Sequence, residues 1–291
     1  MKVVISLPAY NEERTLSKVL QEIKEVMKSF SYSYEILVLN DGSKDKTGEV
    51  AKREGAIAIS NPRNRGLAET FKREMEECLK LKAEIIVHTD ADGQYPAKYI
   101  PLLIKKVEEG YDLVLGSRFE RGRYSGSLMK KLGNIAFAKV FSNLLKTKIT
   151  DTTTGFRAFT AEVARLPLIN SFTYTQEQLL RAGKAKMRIA EVPILTRETR
   201  PSRLFNNSFS YAFKAWINIF RIYRDFEPLK FFGSLGGIFL GLGILLGGWI
   251  FYLWAAHGEV GGVPRVILSM LLIVMGIQVV LFGFLADMMK K

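Results

Sequence analysis

The stretch Ala83–Pro96, AEIIVHTDADGQYP, decides how the chain is read. Ile85 to Thr89, apolar or β-branched apart from His88, has the bulk of a short buried strand. It stops at Asp90-Ala91-Asp92-Gly93-Gln94, where two carboxylates stand one residue apart. Such a pair costs repulsion and desolvation unless a cation sits between the two. Gly93 permits a tight turn, and Pro96 ends the segment ahead of a helix. In parallel α/β sheets, ligands bind outside the carboxyl ends of the strands. Asp90, Asp92 and Gln94 therefore read as oxygen donors to a hard divalent ion. Mg²⁺ takes one or two protein carboxylates and fills its shell with phosphate and water, so a diphosphate is the natural third party. Taken alone, the triplet also suits a solvated turn with two surface aspartates, and the rest of the chain has to decide.

The chain has 291 residues, 48% of them hydrophobic, with 42 Lys and Arg against 29 Asp and Glu. Mean hydropathy is +0.07, and the apolar excess collects after Leu229. The part before it, roughly 200 residues, is long enough for a sizeable core. A net charge of +13 suits nucleic acid, anionic lipid or phosphorylated substrates, and charge alone does not choose. The single cysteine, Cys78, excludes an intrachain disulfide and sits at helical spacing as a small buried hydrophobe. Met1 and Lys2 lead straight into an apolar strand without a cleavable signal pattern, so a cytoplasmic domain is expected.

Working outward, Lys2–Leu7 is a strand that ends in Pro8-Ala9-Tyr10-Asn11-Glu12-Glu13. A helix follows to about Phe30, with Leu16, Val19, Leu20, Ile23, Val26 and Met27 at a 3.6-residue period. Tyr34–Leu39 is a second strand running into Asn40-Asp41-Gly42-Ser43-Lys44-Asp45-Lys46-Thr47. Ala56–Ser60 is a third, before Asn61-Pro62-Arg63-Asn64-Arg65-Gly66, and Asp112–Ser117 is a fifth. Strands alternating with helices predict an α/β fold with a doubly wound, mostly parallel sheet. Tyr10, Glu12, Asp41, Asn64, Asp90, Asp92 and Arg118 then share one rim. Neither GxxxxGK[ST] nor strand–GxGxxG–helix occurs, which disfavours an NTPase or a dinucleotide oxidoreductase. There is no internal repeat.

Arg118 to Lys148 is basic, and Gly116, Gly122 and Gly126 suggest a mobile loop there. Asp151-Thr152-Thr153-Thr154-Gly155-Phe156-Arg157 is too polar for core. A helix is expected around Gln176–Arg181 and a strand around Met187–Thr196, followed by Arg197-Glu198-Thr199-Arg200-Pro201-Ser202-Arg203. Ser208–Phe226 carries aromatics on one stripe and basic residues elsewhere, which suits a helix in the lipid headgroup region. Phe231–Ala256 and Val266–Ala286 hold no formal charge, and each exceeds the ~20 residues that span a bilayer. Gly233, Gly237 and Gly241, and likewise Gly243 and Gly247, repeat every four residues. That spacing allows close packing within a hairpin or in a homo-oligomer. Arg221, Arg224, Lys230, Lys290 and Lys291 flank the same side of the spans, which predicts a multi-pass cell-membrane protein with both termini cytoplasmic. The expected organisation is a domain at 1–204, an interfacial helix at 205–228 and a two-helix hairpin at 229–291.

The motifs PAYNEE at Pro8, NDGSKDKT at Asn40, NRG at Asn64, DADGQ at Asp90, GSR at Gly116, TGFR at Thr154 and EVPI at Glu191 resemble the family 2 inverting glycosyltransferases of GT-A fold. The similarity is greatest to dolichyl-phosphate mannose synthases and polyprenyl-phosphate glucosyltransferases, and it covers about residues 1–230. The chain departs from the usual pattern at Asn40, where an aspartate is common, and at Arg200-Pro201-Ser202-Arg203, where Gly-x-Ser-Lys is usual. The resemblance implies that Pro8, Ala9, Tyr10, Glu12, Asp41 and Asn64 hold the donor nucleotide. It also places Asp90 beside the nucleotide, and Asp92 with Gln94 on Mg²⁺ or Mn²⁺. Gln178-Leu179-Leu180-Arg181-Ala182 resembles the QxxRW of processive synthases but lacks the tryptophan, which favours transfer of one sugar.

The acceptor follows from acid–base chemistry. A hydroxyl acceptor needs a general base. A phosphomonoester, with a second pKa of about 6, is already mostly dianionic at neutral pH and needs cations to hold it. His88 lies in a strand and His257 beyond the spans, whereas arginines crowd the crevice. Arg118, Arg123, Arg200, Ser202 and Arg203 are the candidate ligands of a polyprenyl or dolichyl phosphate. Asp151 stands where hydroxyl-using relatives keep a catalytic carboxylate. Here it is either catalytic, as Asp90 and Asp92 are expected to be, or an orienting partner for Arg157 or the sugar. The competing readings are transfer to a lipid hydroxyl such as diacylglycerol, and a membrane-tethered nucleotide-sugar binder without turnover. No nucleic-acid-binding fold is recognisable, so nucleic acid is not an expected partner.

Overall fold

Short runs of aliphatic and β-branched residues become strands because neighbours cover both of their faces. Val3 to Ala9, Leu37 to Leu39, Ile85 to Val87 and Leu113 to Leu115 are all buried. The computed structural model describes residues 1–119, 128–168, 174–197, 217, 220–221, 224–258 and 262–289, with only the backbone described at 128–133. It divides into two units, Met1–Ser208 and Phe209–Lys291.

The strands of the first unit are β1 (Lys2–Ala9), β2 (Ser33–Asn40), β3 (Ile57–Ser60), β4 (Ile85–His88), β5 (Leu113–Ser117), β6 (Arg157–Thr160) and β7 (Ile189–Pro193). They form one sheet in the order β3-β2-β1-β4-β6-β5-β7. β6 runs antiparallel to β4 and β5; the other pairings are parallel. Its insertion leaves β4 and β5 pointing the same way. The carboxyl ends of β1, β2, β4 and β5 therefore open on one rim.

The helices are α1 (Leu16–Lys28), α2 (Thr47–Arg53), α3 (Leu67–Lys80), α4 (Ile100–Glu108), α5 (Leu128–Leu145), α6 (Ala161–Ala164) and α7 (Tyr174–Lys184). α1 buries Leu16, Val19, Leu20, Ile23 and Met27, the stripe its period predicts. Truncating one of these to alanine costs about 2–5 kcal/mol. Cys78 is fully buried on α3.

The sheet is mostly parallel, as expected, but two local readings need correction. β6 is a strand and not the polar loop expected there. Arg157 disguises it: its guanidinium is wholly buried and donates to the Thr175 carbonyl at 3.0 Å, to Gln178 Oε1 at 3.0 Å and to the Thr154 carbonyl. Nor is the basic stretch after β5 a loop throughout, since α5 occupies most of it. Asn134, Phe137 and Phe141 turn inward there, while Lys139 stays in water.

In the second unit, α8 (Pro228–His257) and α9 (Val263–Met288) have hydropathies of 2.0 and 2.6 and are long and apolar enough to cross a membrane. Leu245, Met270 and Phe282 stand more than half exposed, as lipid-facing side chains would. The expected interfacial helix at 205–228 lies mostly outside the described residues. The glycines divide into two sets. A Cβ on Gly236 would lie 2.7 Å from the Gly276 carbonyl oxygen, and one on Gly276 would lie 2.6 Å from Leu240 Cγ. Gly243 closes in the same way on Ile273, and the Ser269 hydroxyl donates to the Gly243 carbonyl at 2.9 Å. Gly233, Gly237 and Gly241 meet nothing within 4 Å among the described residues. The hairpin is therefore sealed at Gly236, Gly243, Gly247, Gly276 and Gly283, whereas a Cβ on Gly233, Gly237 or Gly241 would meet nothing among the described residues.

That division is testable. Gly276→Ala meets backbone that cannot retreat, and overpacking of this kind costs about 1–3 kcal/mol. Gly237→Ala has open space and gains helix propensity. Thermal unfolding in detergent should show a lower midpoint for the first variant and none for the second.

Candidate active site

The loops after β1 and β2 are laced together before either can meet a ligand. The Asn11 backbone, at φ 55°, donates to Ser43 Oγ at 3.0 Å, and Lys44 N donates to Asn11 Oδ1 at 2.9 Å. Asparagine tolerates this left-handed conformation better than most residues. Glu12 N donates to Thr47 Oγ1 at 2.9 Å, and Glu13 exchanges bonds with Asp45 and Lys46. Pro8 and Ala9 are buried in β1 beside Leu39 and Asn40, and Tyr10 is half-buried where the strand ends.

Asp41 is buried and fully engaged. Its Oδ1 accepts from Asn61 Nδ2 at 2.7 Å and Arg65 N at 2.9 Å, and its Oδ2 from Gly66 N at 3.0 Å. It thus shapes the turn that displays the exposed Asn64. Gly42 lets this turn approach: a Cβ there would lie 2.4 Å from the Arg63 carbonyl carbon. Asn40 uses both ends of its amide, accepting from Ser43 N at 3.1 Å and donating to Ser60 Oγ at 3.1 Å.

The Asp90 turn leaves β4, which lies beside β1 on the side away from β2. Thr15 Oγ1 lies 2.9 Å from Glu12 Oε2 and 3.1 Å from the Ala91 carbonyl oxygen, tying turn and first loop together. Gly93 takes φ 78°, and Gln94 N donates to Asp92 Oδ1 at 2.9 Å. Asp90 is half-buried with Gly155 against it; a Cβ there would lie 3.2 Å from Oδ1. Desolvation, reinforced by the Asp92 and Glu74 charges, pushes the Asp90 pKa up to about 6, although His88 and Arg118 oppose it. No group of three His, Cys, Asp or Glu poised for a metal occurs among the described residues. An ion held by Asp90, Asp92 and Gln94 would have to draw its remaining ligands from a bound phosphate and water.

Across the crevice, Arg118 grips Asp151. Nε donates to Oδ2 at 2.7 Å and Nη2 to Oδ1 at 3.0 Å, and Nη2 also reaches Thr153 Oγ1 at 2.8 Å. Asp151 further accepts from Arg118 N at 3.2 Å and Thr153 N at 3.1 Å, and it is wholly buried. Its partner is Arg118 and not Arg157. Glu191 holds this loop from beneath, accepting from Thr150 N at 2.9 Å, Asp151 N at 3.0 Å and Thr150 Oγ1 at 2.7 Å. Burial raises the Glu191 pKa, and these bonds work against it.

Sequence reading missed the layer behind Asp90. His88 Nδ1 and Glu74 Oε1 lie 2.7 Å apart, both fully buried, with Tyr174 Oη 3.4 Å from His88 Nε2. His88 thus faces inward, away from the crevice. The available signal was Glu74 itself, an acid on the α3 stripe of Phe71, Met75 and Cys78. Burial also pulls Arg157 down to about 10. Arg123, Arg200, Ser202 and Arg203 lie outside the described residues.

A mostly parallel sheet with a carboxylate turn on its rim is the GT-A glycosyltransferase architecture. It superposes with TM-score 0.60 on Mycobacterium tuberculosis glucosyl-3-phosphoglycerate synthase in complex with Mn²⁺, UDP and glucosyl-3-phosphoglycerate, covering 75% of this chain and 79% of that one at 20% identity. At that identity the likeness speaks for fold alone. Residues 4–166, more than half of the chain, match glycosyl transferase family 2, and the chain belongs to that family. Residues 218–290 match the glycosyltransferase family 2 C-terminal transmembrane region. A dolichyl-phosphate hexose transferase of Haloferax volcanii is 32% identical over 203 residues, 67% of this chain and 83% of the relative. A dolichol-phosphate mannosyltransferase of Pyrococcus furiosus is 28% identical over 294 residues, 93% of this chain and 78% of the relative.

The raised Asp90 pKa has a signed consequence. The native state binds that proton more tightly than the unfolded chain, so the metal-free protein loses stability as pH rises from about 4 to about 6. A cation must displace the same proton. Mn²⁺ affinity, read by calorimetry with a nucleoside diphosphate present, should weaken as pH falls through about 6, and Asp90→Asn should flatten that dependence to the part set by the diphosphate's own protonation.

Proposed function

We propose that the protein transfers one hexose, with inversion, from a nucleotide sugar such as GDP-mannose, UDP-glucose or UDP-N-acetylglucosamine to a polyprenyl (dolichyl) phosphate at the cytoplasmic face of a cell membrane. The observation that carries the reading is the state of Asp151. The carboxylate placed to serve as a base is wholly buried and accepts two bonds from Arg118. A hydroxyl acceptor would need that base. A phosphate acceptor, dianionic above a second pKa of about 6, would not. The names of the relatives from H. volcanii and P. furiosus point to the same acceptor class.

In this reading Pro8, Ala9, Tyr10 and Glu12 line the donor's base and ribose. Asp41 acts beside them by shaping the Asn64 turn. Asp90, Asp92 and Gln94 would hold Mg²⁺ or Mn²⁺, which would supply positive charge against the departing diphosphate. Asp151 aims the Arg118 guanidinium at the crevice. Arg123, Arg200, Ser202 and Arg203 complete a cationic cradle that brings the lipid phosphate in line with the anomeric carbon. Attack opposite the leaving group inverts that carbon in one displacement. The apolar pair α8 and α9 keeps the enzyme where its acceptor resides, and its basic flanks orient both termini to the cytoplasm.

A panel of nucleotide sugars with Mn²⁺ and a short polyprenyl phosphate, read by mass spectrometry of the lipid, tests this. One donor should give a single-hexose glycolipid, and silence across the panel would sink the reading. Arg203→Ala should raise the acceptor KM with little effect on the donor. Asp151→Asn should lower kcat by less than the ~100-fold expected for loss of a general base. A larger loss, with Arg203→Ala silent, would favour a lipid hydroxyl acceptor.

A further inference from the structure

One stripe of side chains, begun just before α1 and continued along it, underlies the Asp90 turn. Thr15, Val19 and Glu22 stand at i, i+4 and i+7 and so share a helix face. At the far end of the turn, Glu22 Oε1 accepts from Ala97 N at 3.0 Å. In the middle, a Cβ on Gly93 would lie 3.5 Å from Val19 Cγ2. At the near end, the Thr15 hydroxyl reaches the Ala91 carbonyl oxygen at 3.1 Å. The far end is also held by Arg197 N, which donates to the Gln94 carbonyl at 2.9 Å. The Ala91 carbonyl belongs to the peptide that joins Ala91 to Asp92, so its direction bears on where Asp92 points.

The Thr15 hydroxyl is contested. A hydroxyl donates one proton. Three oxygens lie within its reach: Glu12 Oε2 at 2.9 Å, the Ala91 carbonyl at 3.1 Å and the Glu12 carbonyl at 3.3 Å. The start of the helix does not need it. Thr15 N and Leu16 N both donate to the Glu12 carbonyl, at 3.1 and 3.0 Å, and the Thr15 side chain makes no cap. A carboxylate is a stronger acceptor than a carbonyl, so Glu12 draws the proton while no ligand is bound. A ligand hydroxyl that donates to Glu12 weakens that pull. The Thr15 proton can then turn to Ala91 by rotation about one bond, with no heavy atom displaced.

We infer that Thr15 is a positioning residue that couples the nucleotide and cation halves of the donor site. A nucleotide on Glu12 releases the Thr15 proton to the Ala91 carbonyl, and that bond steadies the Asp92 peptide for the cation. By reciprocity, a loaded turn holds the nucleotide more tightly. The inference rests on the reading that Glu12 lies against the donor nucleoside and that Asp90, Asp92 and Gln94 hold a divalent ion. It adds why the two should fill together. Thr15 acts through Glu12 and the Ala91 peptide, so its loss should be felt in the coupling and not in nucleotide affinity alone.

The test titrates the full-length protein in detergent with UDP and with GDP by calorimetry, each with and without Mn²⁺. The ratio of the two affinities for one nucleotide is the coupling factor. Mn²⁺ taken up by free nucleotide is common to parent and variants and cancels between them. Thr15→Val keeps the shape and loses the hydroxyl. It should cut the coupling factor about fivefold, the size of one hydrogen bond, and leave the metal-free affinity within about twofold. Its melting midpoint should move by less than about 4 °C. Thr15→Ser, which keeps the hydroxyl, should restore the parent factor. An unchanged factor in Thr15→Val, an equal loss of affinity with and without Mn²⁺, or a Thr15→Ser variant that behaves like Thr15→Val would each overturn the inference while leaving the donor and metal reading intact. If the parent binds neither nucleotide, or binds it no better with Mn²⁺, that reading fails first and this inference falls with it.

Discussion

A carboxylate at the end of a buried strand is expensive unless something positive stands against it, and much of the first unit is arranged around that cost at Asp90. The strand must be buried to be held, yet the charge must reach the crevice to be useful. Gly155 meets the first demand by letting the opposite chain come against the carboxylate without a side chain between. Thr15 and Arg197 meet the second by bonding the Ala91 and Gln94 carbonyls, which fixes the turn from two sides. The carboxyl left between them carries a raised pKa, and that is the condition in which a divalent ion and its phosphate bring the greatest relief.

The other charged groups of the crevice are settled within the protein. Asp151 is paired with Arg118, and its loop is bonded by Glu191. Asp41 spends both oxygens on the Asn61–Gly66 turn. His88, which looks from its place in the chain like a neighbour of the turn, points instead at Glu74 in the interior. Carboxylates of similar appearance in the sequence thus divide into Asp90, desolvated beside Gly155 at the end of β4, and Asp41 and Asp151, which are hydrogen-bonded within the fold. That division favours an acceptor that arrives already ionised.

Strands β1 to β5 and β7, helices α1 to α4 and α7, the two apolar spans and the carboxylate turn were legible because each writes a local signature. Period, run length and a glycine at a turn are all visible within a dozen residues. β6 was not legible, because four residues headed by an arginine have no strand signature; it is a strand only because β4 and β5 flank it. α5 was masked by its lysines and by the glycines on its approach. The glycine pattern in the spans was visible, but which glycines touch was not, since Gly236 and Gly276 face each other across two helices while Gly233, Gly237 and Gly241 face away.

By itself the sequence determined the class of fold, the place of the Asp90 turn at a strand end, the apolar hairpin and the family motifs. Those depend on interactions between residues close in the chain. Only the tertiary structure decided the pairings: Arg118 with Asp151, Glu22 with Arg197, Glu74 with His88, and Arg157 with Gln178. Each guanidinium or carboxylate had several partners of the right charge, and a bidentate fork or a buried contact selects among them by direction and distance, which composition and spacing do not record.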